Sequence, residues 1–273
     1  MPEWAAFVGL TGFLLTALLG LARLSQGAVR PDGGVSSTVD SVSMPEGDPT
    51  IPRFETRRAA AQRRQMRDTL APSDLSTGAL LANVAFTQGL FGVLLVAGAF
   101  YFEIPASAFG ITAAALSTGP PALAVGIGAG VGFWVGNELA AALADGFGVA
   151  FDESLRELLA PDSVGGWIVL LGGVLPVIAL VEELLFRAAA IGVPVAGLNA
   201  PAWAMAIVAS VAFALGHGAQ GRVGIVVTGT LGLGLAGLFI ATNSFLAVVV
   251  AHYLVNALEL IVHEGLGVDR LWV

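Results

Sequence analysis

Three short segments set ionisable and polar side chains among apolar neighbours. Residues 178–187 read IALVEELLFR and carry Glu182, Glu183 and Arg187. Residues 213–217 end a second apolar run with Phe213 and His217, and residues 251–259 place His252, Asn256 and Glu259 in a third. If these runs are helices, residues four apart share a face. Glu183 can then pair with Arg187, while Glu182 points about 100° away, as a 3.6-residue turn requires. One carboxylate held by a guanidinium and one left to face a cavity is an arrangement for a general base. Phe213 and His217 share a face, as do His252 and Asn256. Each segment also has a plainer reading: a structural ion pair beside a protonated Glu182, a helix-end histidine, and an interhelical hydrogen-bonding pair. Glu259 and His263 continue the His252–Asn256 stripe towards the end of its run, where solvated side chains are expected.

Taken in order, E-E-x-x-x-R, F-x-x-x-H and H-x-x-x-N over residues 165–263 resemble the CAAX-processing and bacteriocin-processing (CPBP, or Abi) family of intramembrane proteases, which includes the Ras-converting enzyme. The resemblance implies an endopeptidase in which Glu182 activates water with the help of His217. His252 and Asn256 would stabilise the oxyanion, with Glu183, Arg187 and Phe213 in support. It implies membrane-associated protein or peptide substrates, prenylated CAAX tails among them. Metal dependence stays open. There is no H-E-x-x-H; a zinc form would use Glu182, His217 and His252 with an open fourth position, and the metal-free form is preferred.

What must position these residues is read from hydropathy. The 273 residues are 56% apolar and 12% charged, against about 25% charged in a soluble domain, and mean hydropathy is +0.84. Seven apolar stretches, 4–24, 76–102, 119–144, 166–191, 201–217, 222–241 and 244–263, mostly meet the length of about 20 residues needed to cross a bilayer. Spanning segments must close their own backbone hydrogen bonds. The expected fold is therefore all-α: a polytopic membrane bundle of about seven transmembrane helices with short interfacial helices, embedded in lipid in the cell membrane. Gly126, Gly130 and Gly132, or Gly232 and Gly234 with Ala236, offer places for close helix approach.

The organisation reads as an N-terminal helix (1–24), a polar linker (25–75), helices with no diagnostic residues (76–164), the motif-bearing helices (165–263) and a tail (264–273). The N-terminus lacks the positive charges of a signal peptide and is read as a retained span. The linker turns Arg-rich at Arg53, Arg57, Arg58, Arg63, Arg64 and Arg67, with a helix expected over 54–70. By the positive-inside rule the linker and C-terminus are cytosolic and the N-terminus outside. Residues 153–160 look like an amphipathic interfacial helix.

The charge balance, −8 with no Lys, gives no basic surface for nucleic acid and hints at a GC-rich or salt-adapted source. The absence of Cys removes disulfides, thiolate catalysis and Cys-ligated zinc. One conflict stands. A fourth helix starting at Gly166 in the interface puts Glu182 about 24 Å along it, at a different depth from His217 counted from Pro201, unless Gly172, Gly173 and Pro176 break it. Rival functions for buried ionisable groups are ion or proton-coupled transport and non-catalytic scaffolding.

Overall fold

Apolar runs in lipid have no water to satisfy their backbones, and each of the seven stretches is helical in a computed structural model that describes residues 1–29, 77–146, 154–218 and 221–268. The Arg-rich segment 54–70 lies outside the described residues, as do the rest of the linker from residue 30 and the tail from residue 269. The helices are α1 (Trp4–Val29), α2 (Thr77–Tyr101), α3 (Pro120–Gly146) and the short α4 (Ser154–Leu159). A long helical segment, α5 (Val164–Leu198), follows. Then come α6 (Ala202–Gly216), α7 (Gly221–Thr242) and α8 (Phe245–Leu260), which runs on as a π turn, Ile261–Gly265. Six of these are long and apolar enough to cross a membrane, and α6 is a shorter apolar helix. No strand occurs among the described residues. The chain is an integral membrane protein with an all-α fold.

Exposure follows the membrane pattern. Phe13, Phe86, Phe100, Ile168, Trp203, Val208 and Val226 are exposed, whereas Glu182, Glu183, Arg187, Ser210 and His252 are buried. Polar groups are gathered inside because hydrocarbon would leave them unsolvated.

Two departures from ideal helices bear on the depth conflict. In α5, α-helical pieces alternate with π turns at Leu170–Val174 and Leu184–Gly192. Pro176 and Pro194 have no N–H to return to the carbonyls of Gly172 and Ala190, so each π segment lies where the α ladder is already interrupted. At about 1.5 Å per residue, α5 is about 50 Å long, well over the roughly 30 Å of a hydrocarbon core. Glu182 and Glu183 fall at its middle. The expected start at Gly166 therefore does not mark their depth. Helix α6, with 15 residues, covers only about 22 Å. Its end at His217 stops short of a full crossing.

Helix α8 packs against α3, α5 and α7, and the middle of α5 packs against α1, α2 and α6. The α3–α8 contact is set by glycine. A Cβ on Gly126 would lie 2.8 Å from the Ala247 carbonyl oxygen, and one on Gly130 would lie 2.9 Å from that of Ala251. Gly132 meets nothing within 4 Å, so of those three glycines only two form the seam. The α7–α8 turn is tight: Asn243 is left-handed (φ 44°), and Ser244 caps α8 by accepting from the Ala247 N–H at 3.0 Å while donating to the Ser117 carbonyl at 2.7 Å.

Candidate active site

The centre of the bundle is built on the α5 turn that carries Glu182, Glu183 and Arg187. Arg187 Nη1 donates to Glu183 Oε1 at 2.7 Å, with both side chains essentially unexposed. Its Nη2 donates to the Gly232 carbonyl of α7 at 3.1 Å. Gly232 has Phe213 and Arg187 as its nearest side chains, and the lack of a Cβ there lets the guanidinium reach the backbone. The guanidinium also lies over the Phe213 ring, 4.5 Å from its centroid, a cation–π contact in a desolvated place. Arg187 thus ties α5 to α6 and α7 at once.

Glu183 does a second job. His252 Nδ1 lies 2.7 Å from the same Oε1. An ionised carboxylate only accepts, so Nδ1 carries the proton. His252 Nε2 then faces Glu182, 3.7 Å from Oε2. Glu182 Oε1 accepts from Gln88 Nε2 of α2 at 3.0 Å. Glu182 Oε2 is buried with no hydrogen-bond partner. Glu183 Oε2 is likewise buried without a hydrogen-bond partner, and a buried carboxylate oxygen left unpaired calls for an explanation.

Phe213 stands between the two histidines. Its ring centroid is 4.6 Å from that of His217 and 5.9 Å from that of His252. His217 terminates α6, and its Nδ1 lies 2.8 Å from the Phe213 carbonyl oxygen. A carbonyl accepts only, so here too Nδ1–H donates and Nε2 carries the lone pair.

Glu182, Glu183, Arg187, Phe213 and His252 are therefore linked by direct contacts, with His217 joined through Phe213. Asn256 lies one turn beyond His252 on α8, half-buried, and makes no hydrogen bond among the described residues. Glu182, His217 and His252 do not bring three ligand atoms together as a zinc site requires. Among the described residues, the one His/Asp/Glu set whose ligand atoms lie within 4.8 Å of one another is Glu138, Glu259 and His263.

Sequence reasoning missed Gln88. It sits in a run that also holds Asn83 and Thr87, and the only available signal was an amide in an apolar helix. It also expected Glu259 and His263 to be solvated. Instead His263 is buried, and Glu259 pairs with Arg156 of α4 at 3.0 Å. Helix α4 is thereby tied to the end of α8 through one of its polar residues.

Residues 164–258 match a family model described as Type II CAAX prenyl endopeptidase Rce1-like. The match bears out the CPBP resemblance and supports, at the level of the family, a CAAX-type intramembrane protease. It spans α5 to α8 and excludes α2, which carries Gln88, and α3. No curated protein and no solved structure matches the chain.

Proposed function

We propose that the chain is a glutamate-dependent intramembrane endopeptidase whose substrates are membrane-associated proteins or peptides, prenylated CAAX tails among them. The observation that carries this is Glu182: one oxygen is held by Gln88, and the other is buried, unpartnered and 3.7 Å from His252 Nε2. A polar gap of that width inside a protein suits a bridging water.

In this reading, Glu182 Oε2 takes a proton from the water as its oxygen attacks the scissile carbonyl carbon. The Nε2 of His217, fixed outward by its Nδ1 bond, helps orient that water. The carbonyl oxygen becomes an oxyanion and accepts from the Asn256 amide and from His252 Nε2–H, His252 acting here as the imidazolium with a proton on both ring nitrogens. Glu182 returns the proton to the departing amine nitrogen as the C–N bond breaks, leaving carboxylate and amine products. Arg187 balances Glu183, and Glu183 orients the His252 ring. Donors preset around such an oxyanion contribute about 3 kcal/mol each.

The catalytic unit is residues 165–263. The linker and C-terminus lie in the cytosol and the N-terminus outside, as the arginine distribution favours. Substrate trapping tests the reading: membranes holding Glu182→Ala should accumulate peptides that wild type removes. If nothing accumulates and Glu182→Gln leaves the cellular phenotype unchanged, proteolysis at this site is untenable.

A further inference from the structure

All three histidines of the chain are held through Nδ1 and present Nε2. The third, His263, lies outside the site built on Glu182. Its Nδ1 is 2.8 Å from the Val268 carbonyl oxygen, which can only accept, so the proton is on Nδ1. Its Nε2 points at carboxylates, 3.0 Å from Glu138 Oε1 and 4.0 Å from Glu259 Oε2. The His263 side chain is 4% exposed. With the proton on Nδ1, Nε2 is a lone pair 3.0 Å from a carboxylate oxygen, an arrangement that a second proton on the ring or a cation held between the two atoms relieves.

We propose that Glu138, Glu259 and His263 form a divalent-cation site of the zinc type, separate from the Glu182 site. A tetrahedral zinc with bonds of about 2.0–2.1 Å sets its ligand atoms about 3.3 Å apart, within the range these atoms already span. The outer groups match what a metal-ligating set needs. A ligating histidine gives its other N–H to a carbonyl, and ligating carboxylates are themselves hydrogen-bonded. Val268 and Arg156 fill those places, Arg156 donating from Nη1 to Glu259 Oε1 at 3.0 Å and from Nε to Glu264 Oε1 at 2.9 Å.

An imidazole with two carboxylates selects zinc-like ions over magnesium or calcium. The fold delivers the ligands in register. The same sequence offset that sets Gly126 on Ala247 and Gly130 on Ala251 sets Glu138 beside Glu259. The π turn over Ile261–Gly265 carries His263, and such turns recur at functional sites. The cation would join α3 to the end of α8, with α4 holding Glu259 from outside.

The test uses the full chain purified in detergent, stripped with a chelator and titrated with Zn²⁺ alone against a chromophoric competitor, then with Co²⁺ for its visible ligand-field bands. Wild type should bind one ion per chain. His263→Ala and Glu138→Gln should each weaken binding by at least about 10-fold, as loss of a ligand exceeds the effect of losing its outer partner, and should alter the cobalt bands. Glu138→Gln offers an amide N–H to the His263 Nε2 lone pair and guards against a folding defect. Glu182→Gln and His252→Ala should bind as wild type does, which separates this site from the proposed catalytic one. Wild type that takes up no stoichiometric ion, or binding that survives in His263→Ala and is lost in His252→Ala, would overturn the proposal.

Discussion

Gln88 Nε2 donates to Glu182 Oε1 at 3.0 Å across 94 residues of sequence. This bond joins a helix outside the family-matched segment to the carboxylate at its centre, and it decides which Glu182 oxygen is left open. A hydrogen bond to a charged group contributes about 1.5–3 kcal/mol. Gln88→Ala should therefore lower kcat about 10- to 100-fold with KM nearly unchanged. Steady-state cleavage of a membrane peptide reporter checks it, and Gln88→Asn, too short to reach, should not restore the rate.

The Glu183–Arg187 pair should matter for stability before chemistry. Removing one member of a buried ion pair costs about 3–5 kcal/mol because the other charge stays uncompensated. Arg187→Met should lower unfolding stability in detergent by that order. The double variant Glu183→Gln/Arg187→Met should regain a large part of it. A loss in the double variant equal to the sum of the two single-variant losses would show that the two side chains act independently.

The α3–α8 seam gives a matched pair of substitutions. Gly130→Leu must push its side chain into the Ala251 carbonyl and Leu254, next to His252. It should cost about 1–3 kcal/mol through overpacking and lower activity by displacing the imidazole. Gly132→Leu, whose Cβ meets nothing within 4 Å, should leave unfolding temperature and activity as in wild type.

Asn256 separates function from structure. It is half-buried and makes no hydrogen bond among the described residues, so Asn256→Ala should leave the unfolding temperature close to that of wild type. As an oxyanion donor its loss should lower kcat about 10²- to 10³-fold. A stable variant with undiminished kcat would remove Asn256 from the oxyanion role.

The helices were legible because a spanning run has to be long and apolar, and the seven stretches stood out on that ground alone. Their joints were not. Whether Gly130 or Gly132 lies in a seam depends on which face of α3 meets α8, and a helix that is apolar all round carries no such mark. The meeting of Glu182 with His252 was not legible because hydropathy assumes an ideal rise from an interface, whereas α5 carries two π turns and α6 has only 15 residues. Motif residues close in sequence, such as Glu183 and Arg187, announce their contact through helical spacing. Gln88, Glu138 and Arg156 do not, since each finds its partner about a hundred residues away.

The most direct measurement of the central claim is the cleavage rate of Glu182→Gln against wild type. It would use purified protein in lipid nanodiscs and a prenylated CAAX peptide or a peptide recovered by trapping. Gln in place of Glu182 keeps an acceptor for Gln88 and the side-chain volume, so the fold should hold. The account predicts cleavage by wild type and a rate about 10²- to 10⁴-fold lower in the variant, the span of general-base catalysis. A folded Glu182→Gln protein that cleaves at the wild-type rate would contradict it.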